Sequence, residues 1–336
     1  MRRSKKILLR VLYILSAALA IFAVWFYGTE HGTRVRLLAA DSLLTTRHGD
    51  LAWLLLGKGG AEERKQRYLA QFDRMAEVPS NTYGITPSSA NKTEWYEVKE
   101  ILGKPYKGFF LYVYDPLRLR IAVTGKKDNG ETVSSMVNRL KAEAGVNGGA
   151  FIDPEFMGDG SMPSGIVVSG GQIIYNSEEG DEPSHIVGID AEGRLIAGKY
   201  TPSEVLELGI QEAVTFAPRF IAEGKGLIKD SRDGWGIAPR TAIGQLEDGT
   251  IVFAIIDGRQ LHSAGATLYD LQQLYMEIGA VTAANLDGGA SSELVVGGKV
   301  LNKPATRLGE RPIPTAWLLF ENPEQVEFSD PWVDNE

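Results

Sequence analysis

From about residue 96 to residue 320 the chain is a succession of short apolar runs broken by glycine, and that pattern restricts it to hairpin-rich sheets. The runs are YKGFFLYVYD (106–115), LRIAVT (119–124), SGIVVSGGQIIY (164–175), HIVGIDAEGRLIAG (185–198), FIAEGKGLI (220–228), TAIGQLEDGTIVFAII (241–256), SSELVVGGKVLN (291–302) and TAWLLF (315–320). Several enclose Gly-Gly, Glu-Gly or Asp-Gly pairs, which supply the positive φ angles that tight hairpin turns demand. Helical spacing predicts helices only at 131–143, 202–208 and 267–279. The expected class is therefore α+β, a mixed, hairpin-rich β-sheet core with a few packing helices. No internal repeat interrupts it.

The N-terminal third has a different texture. Residues 7–27 form an apolar run of about the length that spans a bilayer, with Arg10 near its start, able to snorkel outward. MRRSKK before it predicts a cytoplasmic N-terminus and an exported body, hence a single-pass protein of the cell membrane. A cleaved signal peptide, ending at Ala18-Leu19-Ala20, is the rival reading. IFAVWFY stays apolar beyond that site and favours an uncleaved anchor. Leu-rich residues 34–57 and the charged amphipathic stretch 61–78 predict a helical stalk, and the polar segment 79–95 a linker. The expected organisation is a tail and anchor at 1–30, stalk and linker at 31–95, and a catalytic domain at 96–325.

Charge divides the chain in the same place. Residues 1–36 hold seven Lys/Arg against Glu30 alone, leaving 28 bases and 42 acids in the remainder of a chain with 35 and 43 in all. So acidic a body is unsuited to sequence-independent nucleic-acid binding, which needs Lys and Arg to neutralise phosphates. With no cysteine, disulfides, thiolate nucleophiles and Cys-ligated zinc are excluded. The four histidines form no H-x-x-x-H or H-x-H pair, which disfavours an imidazole-rich zinc site.

Chemistry concentrates in residues 240–304. Two apolar runs there end in an acid and glycine, Asp257-Gly258 and Asp287-Gly288-Gly289, with a helix between them. If both are parallel strands of one sheet, their C-terminal ends share an edge, where open sheets bind ligands. Arg240 and Thr241 open a strand, and Arg suits bidentate contact with phosphate as well as a surface ion pair. Arg259 follows Asp257-Gly258, and His262 lies in the next loop, either solvated or overhanging the cleft. Asn147-Gly148-Gly149 reads equally as a helix-to-strand connection and as backbone held close to a ligand. The run Asp287-Gly288-Gly289-Ala290-Ser291-Ser292 predicts close backbone approach and an anion nest. Ser291 and Ser292 read as ligand contacts, since no G-x-S-x-G elbow is present. Acid-rich SEEGDE (177–182) lacks EF-hand spacing and reads as a solvated charge run. Asp-rich turns leave a divalent cation such as calcium conceivable, with no nameable ligands.

Six segments in order, VNGGAFID (146–153), GIVVSGGQII (165–174), HIVGIDAEGRL (185–195), PRTAIGQLEDGTIVFAIIDGR (239–259), TLYDLQQLYMEIGAVTAANLDGGASS (267–292) and GGKVLNKP (297–304), resemble the phosphodiester glycosidase family. The resemblance covers roughly residues 140–320. It implies hydrolysis of a sugar-1-phosphodiester, releasing the sugar and leaving a phosphomonoester, in cell-envelope or exopolysaccharide glycans. Asp287 is then the first choice for carboxylate catalysis and Asp257 the second. Arg240 and Arg259 are the expected phosphate contacts. Asn147, Thr241, Gly148, Gly149, Gly288, Gly289, Ser291, Ser292 and His262 would orient substrate. The family's usual run is Asp-Gly-Gly-Gly-Ser, so Ala290 departs from it and would be strained if its position required positive φ. Two other readings remain open: a metal-assisted phosphodiesterase breaking the P–O bond, and a non-catalytic tethered module binding anionic glycans.

Overall fold

The computed structural model describes residues 2–46, 48–77, 85, 94–103, 105–154, 158–177, 180–306, 309–326 and 331–332. Most of the linker expected at 79–95, and part of the acidic run at 177–182, lie outside the described residues.

Helix Arg2–Gly28 opens the chain, and within it Lys5–Gly28 is long and apolar enough to cross a membrane, with mean hydropathy 2.5 and none of its most apolar stretch buried. The chain then turns sharply. Thr29 caps helix Glu30–Leu44, its Oγ1 accepting from Gly32 N at 3.0 Å. Gly32 packs so closely on the preceding helix that a Cβ would fall 2.1 Å from Trp25 O. Helix Gly60–Ala76 buries Tyr68, Phe72 and Met75 at near-helical spacing against the body. Its Arg64 makes a bidentate pair with Asp41 at 2.8 and 2.7 Å, and Tyr68 Oη donates to Asp41 at 2.7 Å. Both charges are buried, so the geometry that satisfies them fixes one helix against the other.

The body is the expected α+β arrangement, with its strands in three sheets. A seven-stranded sheet runs in the order Tyr96–Leu102, Lys107–Val113, Ile251–Ile256, Arg240–Leu246, Ala280–Leu286, Arg219–Ala222 and Lys225–Gly226. A five-stranded sheet contains Lys299–Val300, Leu294–Val296, Ala144–Asn147, Thr315–Leu319 and Leu119–Val123. The other five-stranded sheet contains Gln172–Asn176, Ile166–Ser169, Ile210–Thr215, Ser184–Asp190 and Leu195–Tyr200. Neighbouring strands within each sheet pair antiparallel, as consecutive hairpins require.

One face of all three sheets meets in a common core containing Leu111, Ile121, Val146, Val214, Phe253 and Trp317. Strand Ile251–Ile256 shows why its sequence is continuously apolar. Ile251, Phe253 and Ile255 enter that core, while Val252, Ala254 and Ile256 pack beneath helices Gly60–Ala76 and Leu268–Glu277. Burial on both faces removes the usual alternation. The remaining helices, Val133–Leu140 and Pro202–Glu207, cover the outer faces of the five-stranded sheets. Thr132, Thr201 and Thr267 cap the three helices at the expected places, the last two through full capping boxes.

Candidate active site

Strands Ile251–Ile256 and Ala280–Leu286 each pair antiparallel with opposite sides of Arg240–Leu246. They therefore run in the same direction, and the acids that follow them emerge at one edge. Register makes this explicit: Arg240 is opposite Ile256, and Thr241 is opposite both Ile255 and Leu286. The start of the middle strand thus lies between the ends of its neighbours.

Asn147 joins this edge to the five-stranded sheet. Its Nδ2 donates to Asp287 O at 2.6 Å, and its Oδ1 accepts from Thr241 Oγ1 at 2.8 Å and Glu293 N at 3.1 Å. Asn147 and Thr241 are fully buried, so both position the site from beneath. Gly148 and Gly149 are small for a packing reason. A Cβ would meet Thr315 at 2.4 Å in the first and Val214 at 2.6 Å in the second.

The loop after Leu286 is tightly folded. Gly288 N donates to Asp287 Oδ1 at 2.9 Å and Gly289 N to Pro239 O at 2.9 Å. Ser291 N and Ser292 N donate to Gly288 O and Gly289 O. These amides are thus taken by the loop itself and by Pro239 O, and the anion nest expected from the glycines does not form from them. What the loop presents instead is side chains. Asp287 Oδ2 and the hydroxyls of Ser291 and Ser292 are buried with no hydrogen-bond partner. Ser291 faces the Asp287 carboxylate without completing a bond of normal geometry. Burial pushes the Asp287 carboxyl up to about 6, while Ser291, the charge of Arg311 and Gly288 N–H oppose the rise.

Two arginines flank this loop. Arg240 is buried, donating from Nε to Ala266 O at 3.1 Å and from Nη2 to Trp235 O and Gly236 O at 2.6 and 2.9 Å. Gly236 must be glycine, since its φ is +65° and a Cβ would strike the backbone of Asp41 at 2.5 Å. Burial, and then the charge of Arg259, lowers the pKa of Arg240. Arg259 is exposed, has φ +56°, and donates from Nη2 to Thr45 O at 2.8 Å. Its Nη1 would lie 3.5 Å from a Cβ on Gly289, so it overhangs the Asp287 loop. Among the described residues neither arginine has a carboxylate partner.

Asp257 is more fully engaged. Its Oδ2 is 2.8 Å from His262 Nε2, and its Oδ1 accepts from Asn302 Nδ2 at 3.1 Å and Lys303 N at 2.9 Å. It knits the 257–263 loop to the 302–303 segment and holds His262 at the rim. Among the described residues, no three His, Asp or Glu side chains gather closely enough to hold a metal ion.

The sequence and the fold have counterparts. The family model for phosphodiester glycosidases matches residues 140–320, more than half the chain. The chain belongs to the phosphodiester glycosidase family. It is similar to N-acetylglucosamine-1-phosphodiester α-N-acetylglucosaminidase of Bos taurus, 27% identical over 42% of this chain and 29% of the relative. Over 64 residues it is 50% identical to the SPbeta prophage-derived uncharacterized protein YomE of Bacillus subtilis, covering 19% of this chain and 10% of that protein. The chain thus spans less than a third of the length of these curated relatives. The fold is similar to the pro-peptide-inhibited catalytic domain of zebrafish N-acetylglucosamine-1-phosphodiester α-N-acetylglucosaminidase, with TM-score 0.59, 20% identity, and coverage of 73% of this chain and 94% of that one.

Within this phosphodiester glycosidase domain, Ala290 is not strained. The positive φ of the loop falls on Gly289, at +64°, and Ala290 lies in the short 3-10 turn Gly289–Ser291 outside the left-handed region. Alanine is therefore tolerated where the family's run has glycine.

The sequence reading missed residues that the domain gathers from afar. Arg311 pairs with Asp153 at 2.5 Å and stacks over Phe151, and both charges act on the Asp287 carboxyl. Neither residue stands in an obvious motif, although Asp153 ends the VNGGAFID segment. Glu293 was also missed. It is 2% exposed, and burial followed by the neighbouring Glu310 pushes its carboxyl up to about 9. Glu310, which accepts from Ser134 N at 3.3 Å, is shifted down. The Glu293–Glu310 pair therefore holds one proton between them at neutral pH. A folded-state pKa above the unfolded value means that the stability Glu293 contributes is complete below about 4.5 and lost as pH rises through about 9. In Glu293→Gln the slope of Tm against pH is expected to flatten between pH 6 and 9. An unchanged slope would refute the shared proton.

Proposed function

We propose that this edge hydrolyses a sugar-1-phosphodiester, cleaving between the anomeric carbon and the phosphate oxygen. The observation that carries the reading is the unpartnered Asp287 Oδ2 in a loop overhung by Arg259, which has no carboxylate partner among the described residues and lies close enough to Arg240 to lower its pKa. A guanidinium without an acidic partner suits an anion, and a phosphodiester supplies one in the geometry guanidinium prefers. The relatives named for N-acetylglucosamine-1-phosphodiester support the same substrate class.

Departure of the phosphate leaves positive charge on the anomeric carbon and ring oxygen. An ionised Asp287 stabilises that charge from one side, while Arg240 and Arg259 take up the charge developing on the phosphate. Water adds to the anomeric carbon, and the phosphate keeps the bridging oxygen. Phosphate is a good leaving group, so strong acid catalysis at that oxygen is not required. Ser291, Ser292 and His262 contact the sugar or phosphate, and Asn147, Thr241 and Asp257 hold these groups in place. The basic N-terminus and apolar helix support an anchored protein whose catalytic domain acts outside the cytoplasm on envelope or exopolysaccharide glycans.

Hydrolysis in 18O-labelled water tests the bond cleaved. Label is expected in the released sugar. Label in the phosphate would replace this reading with a phosphodiesterase, and binding without turnover with a glycan-binding module. Because Asp287 must be ionised, kcat is expected to rise with pH through about 6 and then level off. Arg259→Ala is expected to raise KM about tenfold, roughly 1.4 kcal/mol, with a smaller change in kcat. An unchanged KM would remove Arg259 from the phosphate site.

A further inference from the structure

An apolar surface beside the candidate site remains unexplained by the chemistry above. Directly after helix Glu30–Leu44, the short 3-10 helix Gly49–Ala52 and the helical turn Trp53–Leu56 carry the sequence GDLAWLLL. Leu51, Trp53 and Leu54 are 41%, 49% and 55% exposed. Trp53 and Leu54 line one cleft, and large apolar side chains exposed together mark an interaction site.

The position of the surface indicates what covers it. An open cleft of about 520 Å³ is lined by Trp53, Leu54 and Lys58 on one side and by Tyr27 and Arg36 on the other. Tyr27 belongs to the last turn of the membrane-length helix, and the Arg36 guanidinium stands 4.8 Å over its ring. Trp, Tyr, Leu and basic residues at the end of such a helix match the interfacial zone of a bilayer, with Arg36 and Lys58 suited to anionic headgroups.

The same helix ties this surface to the site. Helix Glu30–Leu44, 15 residues long, spans about 22 Å. Its far end supplies the Thr45 carbonyl to Arg259 at 2.8 Å and the Ser42 Oγ to Ile237 N at 2.9 Å. The Asp41–Arg64 pair prevents it from swinging away. Leu261, at the tip of the loop that carries Arg259 and His262, is wholly exposed. An apolar residue thus stands at the rim of a site whose other groups are polar.

We propose that Leu51, Trp53 and Leu54 seat in the bilayer surface, and that the substrate is a sugar phosphodiester whose alcohol is a membrane lipid. This rests on the glycosidase and membrane-anchor readings above and adds the lipid. Water adds hydroxyl to the anomeric carbon, the bond from that carbon to oxygen breaks, and the lipid retains its phosphate as a phosphomonoester. The water's remaining proton passes to solvent. Leu261 contacts the first methylenes of the lipid chain.

The test uses the full chain in nanodiscs of phosphatidylcholine and phosphatidylglycerol. Two probes are compared, N-acetylglucosamine-1-phosphate esterified to a long-chain alcohol and the same sugar phosphate esterified to methanol. The wild type is expected to favour the long-chain ester at least tenfold in kcat/KM. Trp53→Asp combined with Leu54→Asp is expected to abolish that preference while methyl-ester turnover stays unchanged. Equal kcat/KM for the two esters in the wild type, or a preference surviving the double variant, overturns the proposal. Hydrolysis of neither ester overturns the glycosidase reading and the lipid substrate with it. Docking is decided separately, without turnover. Brominated lipids are expected to quench wild-type tryptophan fluorescence more than that of Trp53→Phe, and equal quenching overturns the membrane seat.

Discussion

Asp287→Asn is expected to lower kcat for a sugar-1-phosphodiester by about 1,000-fold, the effect typical of losing a carboxylate that acts in the transition state. The same change is expected to stabilise the protein. The carboxyl is pushed up to about 6 mainly by burial, so its folded-state pKa exceeds the unfolded value near 3.8. A group shifted in that direction contributes stability when protonated and loses the contribution as pH rises through about 6. At pH 7.5 the wild type holds a buried, partly unpartnered charge, whereas asparagine holds none. The gain is on the order of 2 kcal/mol, which raises Tm by a few degrees in a chain of this size. At pH 4 the two proteins should melt nearly together. Thermal unfolding at both pH values, alongside turnover, gives the answer. An undiminished kcat would remove Asp287 from the mechanism, and equal Tm values at pH 7.5 would refute its buried charge.

Asn147→Ala is expected to have the largest effect on folding. It leaves three buried groups without their partner at once: the Thr241 hydroxyl, the Glu293 N–H and the Asp287 carbonyl. With about 1–3 kcal/mol for each unsatisfied group and some relaxation around the cavity, the loss is roughly 3–5 kcal/mol. Asn147→Asp separates structure from catalysis. It keeps the acceptor for Thr241 and Glu293 but turns a carboxylate oxygen toward Asp287 O, so activity should fall further than stability. Urea unfolding of both variants measures this. A loss under 1 kcal/mol in Asn147→Ala would show that the two sheets are not joined through this amide.

Much of this was readable along the chain because it is local. Short apolar runs with Gly-bearing turns specify hairpins through backbone geometry alone. The three short helices were legible from apolar spacing, although the first begins only after its Thr132 cap, at Val133, inside the expected 131–143. The common edge of Asp257 and Asp287 was legible only on the condition that both runs are strands of one sheet pointing the same way, and the antiparallel strand Arg240–Leu246 between them meets that condition. Ala290 was legible only as a question, because the sign of φ within Gly-Gly-Ala depends on how the loop folds back onto Pro239.

Other features depend on groups distant in the sequence. Arg311 and Asp153 reach Asp287 from 24 and 134 residues away, and no periodicity or motif brings them together. Glu293 reads as one more polar residue before a strand until Glu310 and the first turn of helix Val133–Leu140 close around it. Gly148 and Gly149 read as ligand-facing, but Thr315 and Val214 are what require them to be small. Sequence by itself determined the hairpins, the short helices and the apolar N-terminal helix, since each follows from contacts between near neighbours, whereas the edge at which the acids emerge needs strand Ala280–Leu286 to pair with Arg240–Leu246. Only the tertiary structure decided which side chains at that edge are desolvated and unpartnered, because burial and charge compensation depend on everything packed around a group.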